Sequence, residues 1–118
     1  MYGLPDDIDL SFLEGATLLQ VCLGENEVIL RFDPDLSITI ESTFRARTPA
    51  RQEALFRDPR SAAAVLVELI SDVITKAQGR TDGTLRLSFS RGGVLEIYDD
   101  SKQYESYQIQ HGEDLYVV

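Results

Sequence analysis

The residues best suited to chemistry are concentrated in a polar segment that runs from Tyr98 to His111. This segment contains the only histidine of the chain and three of its five tyrosines, together with the carboxylates Asp99, Asp100 and Glu105. Carboxylates and an imidazole are ligands that divalent metal ions accept. Their spacing, however, lacks the alternating oxygens and central glycine of a calcium loop and matches no other ligand loop. We therefore predict no metal site and no cofactor.

Nucleophilic catalysis would have to combine Cys22 or a serine with His111, because the chain has one cysteine and one histidine. No Gly-x-Ser-x-Gly elbow frames a serine, and no Gly-Lys-Ser phosphate loop is present. Cys22 also lies in an apolar strand pattern, which is typical of an unreactive core thiol. The sequence therefore predicts a protein that is not an enzyme. The alternative is a small enzyme or ligand-binding domain with a pocket between sheet and helix.

Molecular recognition suits the polar segment better than catalysis does. Tyrosines bury a large area at low entropic cost and keep a hydroxyl group, so they are common in protein interfaces. We therefore predict a partner-binding surface formed by Tyr98, Asp99, Asp100, Tyr104, Glu105 and Tyr107. The alternative is that these tyrosines are half-buried strand residues, because strand alternation places Tyr107 and Ile109 on the core-facing side.

The charge balance indicates the kind of partner. Twenty acidic residues against 11 basic ones give a formal net charge of -9, which repels phosphate backbones and anionic lipids. We therefore expect a basic protein partner, and neither nucleic acid nor a membrane. The stretch from Arg45 to Arg60 contains five arginines and is a local basic segment that could steer a partner or pair two copies in a homodimer. The alternative is that the excess acid only keeps the protein soluble.

Length and composition predict one cytoplasmic domain over residues 1–118. A chain of 118 residues can bury a core without disulfides or structural metals. Hydrophobic residues make up 43% of the chain and charged residues 26%, which is typical of a globular protein. No apolar run approaches the roughly 20 residues of a membrane-spanning helix, and the N-terminus lacks the basic and apolar regions of a signal peptide.

A weak internal repeat organises the elements that must position these residues. The alternating segments Val28–Phe32 and Leu36–Ile40 resemble Leu85–Phe89 and Val94–Ile97, and their apolar positions match at one constant offset. Alternation of this kind predicts two similar β-meanders, with the phenylalanine that ends the first strand of each copy pointing into the core. Ile29 is an apolar exception on the face that is otherwise mostly polar.

The segment between the two copies predicts a loop followed by a helix. Residues from Ala46 to Asp58 lack sustained alternation and carry the breaks Thr48-Pro49 and Asp58-Pro59, which predicts a long mobile loop with a short helical turn around Gln52 to Phe56. A helix is expected over Ala62–Ala77, because six apolar residues recur there at steps of three and four: Val65, Leu66, Leu69, Ile70, Val73 and Ile74. The expected fold class is therefore α+β, with an antiparallel sheet of two β-meanders packed on one central amphipathic helix.

Three parts of the chain resemble a family of small uncharacterised bacterial proteins. They are Glu27–Phe32, Ser37–Glu41 and the ending Ile97-Tyr-Asp-Asp-Ser-x-x-Tyr-Glu-Ser-Tyr-x-Ile109. The resemblance spans nearly the whole chain and implies no established activity. The small size and acidic character are also similar to those of immunity proteins that neutralise secreted bacterial toxins. We therefore expect a non-enzymatic acidic domain that binds a basic protein, of the immunity-inhibitor type.

Overall fold

The computed structural model describes residues 8–101 and 105–118, and in them the chain is built almost entirely from β-strands. Helix α1 is short, Ala63–Val67, and continues a 3₁₀ turn at Pro59–Ala62; a second 3₁₀ turn at Ser11–Leu13 precedes the first strand. The ten strands are β1 (Thr17–Leu23), β2 (Val28–Asp33), β3 (Leu36–Ile40), β4 (Phe44–Thr48), β5 (Arg51–Phe56), β6 (Ile74–Gly79), β7 (Leu85–Phe89), β8 (Val94–Ile97), β9 (Tyr107–His111) and β10 (Asp114–Val117).

The strands form two antiparallel sheets of five strands each. Sheet A has the order β1-β2-β3-β9-β10, and sheet B has the order β5-β4-β8-β7-β6. Alternate residues along the central strands are buried, and the buried sides of both sheets contribute to a single hydrophobic core together with α1. The structure is therefore α+β in composition, with two sheets as layers and one short helical segment beside them.

Each sheet combines a meander from one half of the chain with a hairpin from the other half. The meander β1-β2-β3 is extended by the hairpin β9-β10, and the meander β6-β7-β8 is extended by the hairpin β4-β5. Strand β9 pairs with β3 as β4 pairs with β8. The halves have therefore exchanged hairpins, and neither sheet can be completed by one half alone.

The register confirms the internal repeat that the sequence predicts. Val28 pairs with Ile40 in the first meander, and at the matching positions Leu85 pairs with Ile97 in the second. Phe32 in the first copy and Phe89 in the second are each 3% exposed. The two meanders are thus equivalent in pairing and in burial.

The repeat extends into the strands that precede these hairpins. The pairing of β1 with β2 shifts register between Leu18 and Gln20, and the pairing of β6 with β7 shifts between Ile74 and Lys76. At each shift one extra residue is inserted, in β1 or in β6, and the rest of that strand changes direction, as at a β-bulge. Because irregularities of this kind are specific, finding one at the same place in each half supports a true structural duplication.

The two halves meet at an isolated antiparallel bridge between Thr17 and Val73. These two residues occupy matching positions in the repeat, so a pseudo-two-fold axis passes through the bridge. Four backbone hydrogen bonds flank the bridge in two matched pairs: Leu18 N to Asp72 O (3.0 Å) with Ile74 N to Ala16 O (2.9 Å), and Gly15 N to Ile74 O (2.8 Å) with Ser71 N to Leu18 O (2.7 Å).

The expected helix over Ala62–Ala77 is wrong beyond Val67. Ser71 has a φ of 75°, in the left-handed region that ends a right-handed helix, and Gly15 has a φ of 91° at the matching position. The apolar spacing after Ser71 therefore belongs to a turn and to strand β6. Backbone pairing of β6 with β7, together with the bridge between Val73 and Thr17, outweighs the helical propensity of this segment. The expectation that one sheet packs on a central helix is likewise not supported.

The expected loop from Ala46 to Asp58, with a helical turn around Gln52 to Phe56, is also wrong, because most of it forms the hairpin β4-β5. Strand β4 alternates regularly, with Phe44, Ala46 and Thr48 buried and the arginines between them exposed. This alternation was not visible in the sequence because two of the three buried residues are small or polar. Pro49 lies in the hairpin turn, where it does not interrupt a strand.

The exchange of hairpins predicts how two fragments of the chain, separated after residue 57, will fold. Fragments 1–57 and 58–118 should each remain largely unfolded, because β3 and β8 would each lose a neighbouring strand. Mixed together, they should recover the far-ultraviolet circular dichroism and the cooperative thermal transition of the intact chain. A cooperative transition of either fragment alone, without self-association, would contradict the exchanged arrangement.

A second expectation concerns Asp72, which is 2% exposed and connects the turn after β7 to the bridge between Thr17 and Val73. Its carboxylate accepts hydrogen bonds from Val73 N (2.8 Å), from Arg91 N (3.2 Å) and from Ser90 Oγ. Burial acts to raise the pKa of this carboxyl group, but the three hydrogen bonds and the Arg91 charge hold the pKa below its usual value. The ionised form is therefore favoured by folding, so its stabilisation is present above the unfolded pKa and is lost as the pH falls through the folded one.

Asp72→Asn should accordingly lower the free energy of unfolding by about 1–3 kcal/mol at neutral pH. The difference from the wild type should shrink as the pH is lowered from about 7 towards about 3, since the wild-type carboxylate is then progressively protonated. Urea unfolding of both proteins across this range measures the difference. A difference that stays constant with pH would show that charge at Asp72 does not contribute.

Candidate functional site: the outer faces of the two sheets

The net negative charge lies almost entirely on the part of the molecule that is built around sheet A. Residues 8–43 and 105–118, which build sheet A and its connections, contain ten side-chain carboxylates and one arginine, a net charge of -9. Residues 44–101, which build sheet B and its connections, contain eight carboxylates and nine basic side chains, a net charge of +1. Because the sheets are separate layers, the molecule is electrically asymmetric.

The outer face of sheet A carries two cross-strand rows that contain a single charged residue, Arg31. Leu115 and Val117 on this face are 53% and 40% exposed, and nothing in the described chain covers them. We call the ten residues of the two rows the platform: Cys22, Ile29, Thr39, Gln108 and Val117 in one row, and Gln20, Arg31, Ser37, Gln110 and Leu115 in the other.

Carboxylates flank the platform at both ends of its strands. Beyond the Cys22 row lie Glu27, Glu41 and Glu105, which are close enough to interact. Burial raises the pKa of Glu41, and the negative charges of Glu27 and Glu105 raise this pKa further. Beyond the other row, at the opposite ends of the same strands, the acidic residues are Asp33, Asp35, Glu113 and Asp114.

This arrangement has the anatomy of a protein-binding surface. Protein interfaces combine an apolar centre, which provides most of the affinity, with a polar rim that remains wet. The amides, hydroxyls and aliphatic groups of the platform can exchange water for a partner without burying a charge, apart from Arg31. The carboxylates at both ends favour partner residues with positive charge.

The equivalent face of sheet B is charged across its centre. Arg86, Glu96 and Arg45 are direct neighbours on three adjacent strands. Arg86 Nη1 donates to Glu96 Oε2 (2.8 Å), and the Tyr98 hydroxyl donates to Glu96 Oε1 (3.0 Å). Burial acts to raise the pKa of Glu96, but these hydrogen bonds and the nearby guanidinium groups hold the pKa below its usual value. Glu96 therefore stays ionised and orders its cationic neighbours.

Further basic residues surround this central row. Lys76 and Arg47 lie at the two ends of the next row, on β6 and β4, and the charge of Arg80 also acts on Glu96. The face therefore presents five basic side chains around Glu96. We call the five the cationic face: Arg45, Arg47, Lys76, Arg80 and Arg86.

Tyr107, one of the six residues assigned to a partner-binding surface, is a core residue. Its side chain is 0% exposed, and its hydroxyl donates to the carbonyl oxygen of Gly83 (2.6 Å). Burial raises the pKa of the Tyr107 hydroxyl strongly, and the charges of Asp99 and Asp82 add to this effect. This corrects the expected exposure of Tyr107 and agrees with the alternative interpretation from strand alternation.

Asp99 and Asp100 hold the loop that follows β8. Asp99 accepts a hydrogen bond from the Ser106 hydroxyl (2.7 Å), and Asp100 accepts from Thr43 N (3.2 Å) and from the Thr43 hydroxyl. These contacts tie the loop to the start of β9 and to the connection before β4. Both carboxylates therefore have structural partners at this turn.

The other residues of the predicted surface do not lie on one face. Tyr98 is half-buried beside Glu96 at sheet B, whereas Glu105 is exposed at the end of the platform. Tyr104 lies outside the described residues. Sequence reasoning missed the platform itself, although Ile29 on a mostly polar face was a signal of it.

The residues considered for metal binding and catalysis do not lie together in the structure. His111 stacks on Phe12, with ring centroids 4.7 Å apart, at the opposite end of β9 from Glu105. Cys22 is half-buried on the platform, which corrects its expected core position, and His111 lies on the inner side of the same sheet. Within residues 8–101 and 105–118, no group of three or more histidine, cysteine or acidic side chains is arranged to hold a metal ion.

Two surface depressions are formed by turns between strands. One is formed by the β4-β5 turn and the other by the turn at residues 24–27 with Glu41. Neither lies between a sheet and α1, where the alternative enzyme or ligand-binding hypothesis would place its pocket. Among the helices of the described chain, none has the length and apolar character needed to cross a membrane.

Comparison with known proteins identifies the family. The model of a family of unknown function, DUF6188, matches residues 10–118, so the chain belongs to this family. The match covers both halves of the duplication. No curated protein and no solved structure matches the chain.

Proposed function

We propose that this member of the DUF6188 family is a non-enzymatic protein-binding domain that uses the platform to occlude a basic protein. One observation carries the proposal. An uncovered and largely uncharged sheet face is flanked by carboxylates, in the half of the molecule that holds a net charge of -9. A partner with apolar residues framed by lysines or arginines has the complementary surface.

The two parts of this surface would contribute differently to binding. Burial of the exposed aliphatic groups of Leu115 and Val117 provides affinity at about 25 cal/mol per Å² of apolar area before the costs of association. The flanking carboxylates mainly raise the association rate, and salt screens this effect over a Debye length of about 8 Å at physiological ionic strength. We therefore expect added salt to lower the association rate constant, and the affinity with it, while the dissociation rate constant changes little.

A more specific form of the proposal is an immunity-type inhibitor of a basic bacterial toxin, acting in the cytoplasm. It is supported by the small size and strong acidity of the chain. It is also supported by the position of the platform on the five paired strands of sheet A. A surface on paired strands is preformed, so little conformational entropy is lost when it binds.

Substitution of Thr39, near the centre of the platform, tests the proposal. Thr39 is half-buried on β3 with its side chain on the outer face, so Thr39→Arg adds bulk and positive charge without disturbing the core. We expect the affinity for a protein captured from lysate to fall more than tenfold, about 1.4 kcal/mol or more. The melting temperature should change little.

Ser88→Arg is the matched control, because Ser88 is half-buried on β7 with its side chain on the outer face of sheet B. This variant should retain the captured protein. Capture of the same protein with unchanged affinity by Thr39→Arg would exclude the platform as the binding surface. Loss of the protein by Ser88→Arg alone would place binding on sheet B instead.

A further inference from the structure

We propose that the cationic face is a second interaction surface, and that it docks head-to-tail on the platform of another copy of this chain and on the carboxylates that flank that platform. The cationic face consists of Arg45, Arg47, Lys76, Arg80 and Arg86, on the outer side of sheet B. The inference does not depend on the proposed function, because it requires no protein other than this one.

The first observation is that the two charged surfaces cannot neutralise each other within one molecule. The sheets share a core between their inner sides, so their outer faces point away from each other. The half built around sheet A has a net charge of -9, whereas the cationic face has five basic side chains around Glu96. Only a second molecule can bring these surfaces together.

The second observation is that part of the cationic face has no ionic partner among the described residues of its own chain. Arg86 is paired with Glu96, but Arg45 and Arg47 are exposed and are absent from the ion pairs formed among the described residues. Their guanidinium groups can therefore meet carboxylates of another copy without breaking an existing pair. Guanidinium groups bind carboxylates well, since their planar donors match the two oxygens.

The third observation is the acidic character of the platform ends. Burial and the charges of Glu27 and Glu105 raise the pKa of Glu41, so a cation placed at this end relieves repulsion that already exists. The overall negative charge of each copy opposes association at long range. At physiological salt this repulsion is screened beyond about 8 Å, so the close and complementary charges dominate.

Two different surfaces on opposite sides of one molecule give a heterologous contact, which does not close into a symmetric dimer. Such contacts lead to open stacks whose size grows with concentration. The platform would also be covered by the cationic face of a neighbour, and a basic partner would then have to displace that neighbour. The displacement of a neighbour by a basic partner rests on the proposed function, whereas the head-to-tail stacking does not.

Sedimentation velocity with the full-length chain tests the proposal, over about 10 to 300 μM protein and at about 0.15 M and 0.5 M salt. We expect the wild type to form concentration-dependent oligomers at low salt that dissociate at high salt. The variants Arg45→Glu/Arg47→Glu and Glu27→Arg/Glu113→Arg should each remain monomeric. An equimolar mixture of the two should associate, because one retains the platform and the other retains the cationic face.

Arg57→Glu/Arg60→Glu is the control, since it changes the net charge by the same amount as the first variant at exposed positions outside the cationic face. This control should associate like the wild type. A monomeric wild type at low salt, or a mixture that stays monomeric, would overturn the proposal. Binding of a polyglutamate peptide by a monomeric wild type would also overturn it and would assign the face to a different acidic protein.

Discussion

The antiparallel bridge between Thr17 and Val73 is the contact on which the arrangement of both sheets depends. It joins the start of β1 to the start of β6 and thereby fixes the two meanders relative to each other. Each backbone hydrogen bond that flanks it contributes only about 1 kcal/mol net, so its importance is geometric. Once the meanders are placed, β3 and β8 each offer an open edge, and the hairpin of the other half completes it.

This symmetric scaffold carries two outer faces that differ in charge. Matching positions on the central strands hold Ile29 in sheet A and Arg86 in sheet B, and similarly Thr39 and Glu96. The inner positions have stayed apolar in both halves. The core therefore explains why the chain folds, whereas the divergent outer faces are where different binding properties can reside.

The repeat was predictable because burial on one side of a strand forces alternation of residue types, which the pairs Leu30 with Leu87 and Phe32 with Phe89 preserve. The helix was overpredicted because apolar residues near Ile74 satisfy helical spacing, while long-range backbone pairing decides their conformation. Hairpin β4-β5 was missed because Ala46 and Thr48 are weak signals of burial. These errors reflect interactions between residues that are distant in sequence.

The candidate surface was predictable only in part. Composition indicated an acidic protein, and the basic segment beginning at Arg45 was visible in the sequence. The platform was not, because its rows combine residues such as Cys22 and Val117 from opposite ends of the chain. Only the register of β3 with β9 brings them onto one face.

Methyl resonances of the protein in complex with its captured partner test most directly whether the platform is the binding surface. The account predicts intermolecular cross-saturation and shift changes at the methyl groups of Ile29, Leu115 and Val117. It predicts none at Val67, an aliphatic side chain on α1 that is 54% exposed and serves as an internal reference. Changes centred on Val67, with the platform methyl groups unaffected, would contradict the account.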